Sequence, residues 1–176
     1  MAERTGAVTM RGQPITLVGN EVKAGDKAPD FEVVDNGLSP VRLSSYSGKI
    51  VVISSLPSLD TPVCDLETRT FNQQAANLGE DVVVLTISMD LPFAQKRWCG
   101  AFGVDHVKMV SDHREGSFGQ AYGTLIKDLR IMSRAIFVLG KDNHIRHVEY
   151  VKEVGEHPNY ETALAAARTA AGAASA

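Results

Sequence analysis

Two cysteines, Cys64 and Cys99, are the side chains of this sequence best suited to covalent chemistry. A thiolate is a strong nucleophile and a reversible redox centre, whereas a protonated, buried thiol is an inert small hydrophobe. In an intracellular compartment the thiol pool disfavours a permanent disulfide, so the pair serves either packing or redox chemistry. The residues before Cys64 bear on that choice. Pro57-Ser58-Leu59-Asp60-Thr61-Pro62-Val63-Cys64 joins an apolar run to a helical pattern, at the edge where open α/β sheets bind ligands. Thr61 suits the N-cap and Pro62 the first helical position, so Cys64 falls in the first turn. There the helix dipole and unpaired backbone N–H groups favour thiolate.

A helix terminus cannot complete such a site. An ordinary cysteine thiol titrates near about 8.5, and lowering that by about two pH units needs about 3 kcal/mol. The helix end supplies roughly 0.3 to 1 kcal/mol, and Asp60, Asp65 and Glu67 oppose it. A basic donor from elsewhere in the chain is required, since a hydrogen bond to a charged group adds about 1.5 to 3 kcal/mol. Arg134, at the start of an apolar run, and Arg130 are the rivals from sequence alone.

The elements that must position these residues follow from periodicity. Val8–Met10 and Ile15–Val18 flank Gly12-Gln13-Pro14 and read as a β-hairpin over residues 1–20 that decorates the fold. Short strands are expected at Phe31–Val34 and Val41–Leu43, and a doubly buried strand at Lys49–Leu56, ended by Pro57. Thr61–Leu78 reads as a helix with Leu66, Phe71, Ala75 and Leu78 on its apolar side and Glu67 among the polar positions. Strands at Asp81–Met89 and His106–Val110 enclose a helix at Pro92–Phe102. Ser117–Ile126 reads as a further helix, Ala135–Leu139 and Ile145–Val151 as an antiparallel pair, and Tyr160–Ala170 as the last helix, with 172–176 frayed. A hairpin, then βαβαβ, a helix, two antiparallel strands and a helix predict one α/β domain over 1–176. The arrangement is thioredoxin-like, with a mixed central sheet flanked by helices.

Composition narrows the class. The 176 residues carry 18 basic and 21 acidic side chains for a net charge of −3, which lacks the basic footprint that nucleic acid or an anionic membrane requires. No apolar run reaches the roughly 20 residues of a membrane span, and Met1–Gly6 lacks the apolar core of a secretory signal, so the cytoplasm is the expected location.

Pro57-x-x-x-Thr61-x-x-Cys64 resembles the active-site signature of the peroxiredoxins, and PSLDTPVCDLETRTFN, Pro57 to Asn72, resembles their thiol peroxidase subfamily, an atypical two-cysteine group. The resemblance extends over most of the chain. It includes the opening hairpin, the second cysteine in the helix after the next strand, and the arginine before the strand Ala135–Leu139. It implies that Cys64 is the peroxidatic cysteine, that Thr61 orients the peroxide and that Pro57 shields the sulfur. It also implies that Arg134 is the activating arginine and Cys99 the resolving cysteine, forming an intrachain disulfide with Cys64. The implied enzyme reduces hydrogen peroxide and alkyl hydroperoxides without cofactor or metal, is recycled by thioredoxin and is a homodimer.

Other signals carry less. His144 and His147 are three apart in a strand, point to opposite faces and read as surface residues rather than metal ligands. Gly116-x-x-Gly119-x-x-x-Gly123 lacks the spacing of a phosphate fingerprint. Lys96 and Arg97 beside Cys99 are expected to promote its ionisation. Three rival readings remain. One is a Cys–His hydrolase or transferase with His106 or His113 as base. Another is a dithiol oxidoreductase or chaperone, which would be expected to carry Cys-x-x-Cys, whereas Cys99 follows Cys64 by 35 positions (99 − 64). The third is a non-enzymatic interaction module.

Overall fold

The computed structural model describes residues 2–175. Its centre is a seven-stranded mixed sheet in the order β10-β9-β5-β6-β7-β3-β4. The parallel heart is β5 (Ile50–Ser55), β6 (Val82–Ser88) and β7 (Lys108–Ser111). β9 (Ala135–Leu139) adds antiparallel to β5, and β10 (Ile145–Tyr150) antiparallel to β9, as the turn between them predicts. β3 (Glu32–Val34) and β4 (Pro40–Arg42) close the other edge, and Leu43 belongs to a short 3-10 turn through Tyr46.

Every residue of β5 is buried, because apolar clusters cover both faces of the sheet. Ile50 and Val52 point to one cluster, and Val51 and Ile53 to the other, following the two-residue period of a strand. The first cluster lies beneath α1 (Pro62–Ala75), α2 (Pro92–Phe102) and α4 (Tyr160–Ser175), and contains Phe71, Trp98, Ala163 and Leu164. The second packs Phe31, Phe118, Tyr122 and Phe137 under α3 (Ser117–Tyr122).

Four expectations need correction. The hairpin β1 (Glu3–Met10) and β2 (Gln13–Val18) does more than decorate. Leu17 and Val18 pair with β8 (Leu125–Ile126) in a second sheet, and Val8, Leu17, Ile126 and Val154 form a core of their own. The helix expected through Ile126 stops at Tyr122 because Gly123 turns left-handed at φ 66°, and a Cβ there would lie 2.7 Å from the Asn20 carbonyl oxygen. Helix α1 ends at Ala75 rather than Leu78. Helix α4 runs on to Ser175 past the expected Ala170; Ala176, part of the stretch expected to fray, lies outside the described residues. None of the helices among the described residues is long and apolar enough to cross a membrane.

Candidate active site

Strand register builds the site. In the β5–β9 ladder Ser55 faces Ala135, so Arg134 lies alongside the loop that leaves β5 towards α1. Pro57 is buried where the strand has ended, and the loop it opens returns as α1 with Pro62 at the first helical position. Cys64 sits in the first turn, 0% exposed, in the same apolar cluster as Leu56, Leu59 and Phe71.

Arg134 is 2% exposed and spends its donors in three directions. Its Nη2 donates to Cys64 Sγ at 3.3 Å, its Nε to the Val154 carbonyl at 3.0 Å, and its Nη1 to Glu67 Oε2 in a buried ion pair. Glu67 Oε1 accepts a further bond from Ser54 Oγ at 2.8 Å. Burial works against the Arg134 charge, but attraction by Glu67 and Cys64 outweighs it and holds the guanidinium above its ordinary value. Burial likewise pushes the Glu67 carboxyl up, while Arg134 and Ser54 pull it back. One cation thus serves both the Glu67 carboxylate and the Cys64 sulfur. Arg130 is exposed, in a turn at φ 56°, so the choice between the two arginines falls to Arg134.

Thr61 takes the N-cap position with extended backbone, but no side-chain cap forms. Its exposed hydroxyl donates instead to the Ser58 carbonyl at 2.9 Å, three residues before Thr61. Thr68 Oγ1 donates to the Cys64 carbonyl at 2.8 Å and steadies the turn from inside. The α1 face turned to the core is Cys64, Glu67, Thr68 and Phe71, so Glu67 belongs to the buried side, and Leu66, expected there, is exposed.

Cys99 lies half-buried on α2 against the cluster that contains Cys64, and both thiols are free. Burial pushes the Cys99 thiol up, contrary to the expectation drawn from Lys96 and Arg97, whose side chains sit on the exposed side of α2. His106 stands exposed beside Asp105, and His113 Nδ1 pairs with Ser111 Oγ at 3.0 Å, so neither is bonded to Cys64. His147 is half-buried rather than a surface residue, with an Nε2 that has no hydrogen-bond partner among the described residues, and burial lowers its pKa. Among the described residues, no three His, Cys, Asp or Glu side chains converge as metal ligands.

The chain that builds this site has known relatives. The Redoxin family profile matches residues 23–164. The chain is 57% identical to a thiol peroxidase of Oceanobacillus iheyensis over 157 residues, covering 89% of this chain and 95% of that protein. It is 54% identical to a thiol peroxidase of Bacillus subtilis over 161 residues, covering 92% and 96%. The chain belongs to the redoxin family. A solved peroxiredoxin-like protein from Aquifex aeolicus superposes on this redoxin with a TM-score of 0.88 at 40% identity, over 95% of this chain and 97% of the other. The redoxin is a thiol-dependent peroxidase of peroxiredoxin type.

Three parts of the redoxin site are absent from the sequence reading. The Glu67 ion pair was signalled by the spacing 64, 67, 68, 71, which follows the helical period from Cys64 to Phe71. The Ser54 bond and the Val154 carbonyl carry no local signal, since both are brought to the site by the sheet and by the chain beyond β10.

Proposed function

We propose that this peroxidase reduces hydrogen peroxide and alkyl hydroperoxides with Cys64 as the peroxidatic residue. The observation that carries this reading is the Arg134 Nη2 contact on a wholly buried Cys64 sulfur. The thiolate attacks the terminal peroxide oxygen and the O–O bond breaks. The products are Cys64–SOH and an alkoxide or hydroxide, which takes a proton to leave as alcohol or water. Arg134 and the first-turn amides stabilise the charge that moves on to the leaving oxygen, and the Thr61 hydroxyl orients the peroxide once its proton turns away from the Ser58 carbonyl. Pro57, buried where β5 has ended, is assigned the shielding of the sulfur.

Cys99 then attacks the sulfenic sulfur, releasing water and forming an intrachain disulfide. Thioredoxin returns both thiols by exchange. A cycle that ends on two free thiols suits a reducing compartment, which supports a cytoplasmic location. Leu66 on α1, and Leu91 and Phe93 at the start of α2, are exposed apolar side chains, Phe93 at 66%, which supports a homodimer that covers them.

The test is NADPH oxidation with thioredoxin, thioredoxin reductase and either hydrogen peroxide or an alkyl hydroperoxide. Wild type is expected to turn over and Cys64→Ser to be inactive while folded. Activity of Cys64→Ser within a few-fold of wild type would remove Cys64 from the nucleophile's role.

A further inference from the structure

The connection after β6 contains a carboxylate, Asp90, that has no part in the proposed peroxide step. Asp90 Oδ1 accepts from Ser58 Oγ at 2.7 Å, and Asp90 Oδ2 from the Leu59 backbone N–H at 2.9 Å and from Ser88 Oγ at 2.7 Å. The first two donors belong to the loop that leads into Cys64; the third belongs to the end of β6. Asp90 itself lies two residues before α2, the helix of Cys99.

A residue that only closed its own turn would bond its neighbours. Here two of three donors come from 31 and 32 positions earlier in the chain. The anchor is rigid, because the Asp90 carbonyl accepts from Ser111 Oγ at 2.6 Å, and buried Gln95 ties Ser88 Oγ to the Val110 carbonyl. The elements it joins are loosely started. Neither α1 nor α2 has a side-chain N-cap, so their first turns keep amides without a side-chain acceptor. Ser58 also supplies the carbonyl to which the Thr61 hydroxyl donates.

We propose that Asp90 is a positioning residue that latches the Cys64 loop to the head of the Cys99 helix, and that release of this latch gates disulfide formation. The inference rests on the proposed roles of the two cysteines. A 0% exposed sulfur at a helix start must leave its place before a half-buried thiol on another helix reaches it. In that step Cys64–SOH and Cys99–SH lose one water and form one S–S bond. With the latch closed, the thiol is held on Arg134 for peroxide; with it open, the first turn of α1 unwinds and the sulfenic sulfur meets Cys99. The latch therefore sets how long the sulfenic acid survives, and with it the exposure of Cys64 to further oxidation by a second peroxide.

The experiment compares full-length wild type, Asp90→Ala, Asp90→Asn and Ser58→Ala. Hydrogen exchange of the reduced proteins reads the loop directly. Asp90→Ala is expected to speed exchange in the segment 56–68 about tenfold, equivalent to about 1.4 kcal/mol, with β5 and β9 unchanged. Ser58→Ala removes its bond to Asp90 and the bond its Oγ accepts from the Asp60 N–H, leaves the Leu59 bond to Asp90 in place, and should give about threefold. Asp90→Asn retains one acceptor oxygen and should recover part of the loss. Rapid quenching after one equivalent of peroxide, followed by mass spectrometry, should show the Asp90→Ala disulfide forming about tenfold faster. The dose needed for sulfinic acid should rise in parallel.

Unchanged exchange in 56–68, an equal rise throughout the sheet, or a disulfide rate equal to wild type would overturn the latch. Wild type that reacts with peroxide but forms no Cys64–Cys99 link would overturn the gating step together with the reading beneath it. Exchange of the reduced proteins would still decide whether Asp90 holds the loop.

Discussion

Replacing Arg134 by lysine tests the central contact while keeping the buried charge. The guanidinium reaches Cys64 Sγ, Glu67 and the Val154 carbonyl at once through a planar fork, and a single ammonium on a shorter stem cannot span all three. If the ammonium stays with Glu67, the sulfur loses a charged hydrogen bond worth about 1.5 to 3 kcal/mol, or about 10- to 150-fold in the reactivity of the thiolate form at neutral pH. Arg134→Ala is a poorer probe. It strands Glu67 without its partner, and an unpaired buried charge costs about 3 to 5 kcal/mol, a large part of the roughly 5 to 15 kcal/mol that holds a domain together. The assay is the second-order rate of Cys64 alkylation at pH 7 in a Cys99→Ser background, with the single-turnover rate for hydrogen peroxide beside it. Both should fall together in Arg134→Lys, with Tm close to wild type, and neither should move in Arg130→Ala, whose side chain is exposed. An Arg134→Lys protein that keeps both rates within about twofold would refute the assignment of the sulfur's activation to this contact.

Cys99→Ser is expected to consume one equivalent of peroxide, accumulate sulfenic acid on Cys64 and lose thioredoxin-linked turnover; mass spectrometry with a sulfenic-acid trap reads the outcome. Asp112 caps α3 by accepting from the Phe118 and Gly119 amides, and burial pushes its carboxyl up to about 6 against those bonds. Because the folded value lies above the unfolded one, its share of stability is full below about pH 4 and is lost as pH rises through 6. The Tm of wild type relative to Asp112→Asn should therefore fall between about pH 4 and pH 6.5 and be flat above that; a difference independent of pH would disprove the shift. Gly123→Ala forces a side chain into the left-handed turn against the Asn20 carbonyl, where Arg4 Nη2 also donates to the Gly123 carbonyl at 2.6 Å. A loss of about 2 kcal/mol or more, read as a Tm drop of about 4 to 8 °C with faster exchange in β1 and β2, is the expected result.

Much of this protein was legible in its residues because the determining interactions are local. The all-apolar run at 50–53 could only be a strand covered on both faces, Pro62 could only open a helix, and Gly103 follows a helix that runs over Pro92–Phe102 as its pattern requires. The charge requirement at Cys64 was also local: a helix end is too weak, so a cation had to arrive from elsewhere. Which cation arrives was decided by the Ser55–Ala135 register, a pairing of residues 80 positions apart (135 − 55) that no window of sequence contains. The same holds for the Val154 carbonyl on Arg134 and for Asp90 on the Cys64 loop. Local patterning even misplaced Glu67 and Leu66, because a helix's buried face is set by the sheet beneath it, and an ion pair makes a charged residue welcome there. Sequence specified each element and the residue at its head. Only the tertiary pairing brought a thiol, a guanidinium and two carboxylates within hydrogen-bonding reach of one strand-to-helix turn, because hydrogen bonds act over about 3 Å while the chain between their partners is tens of residues long.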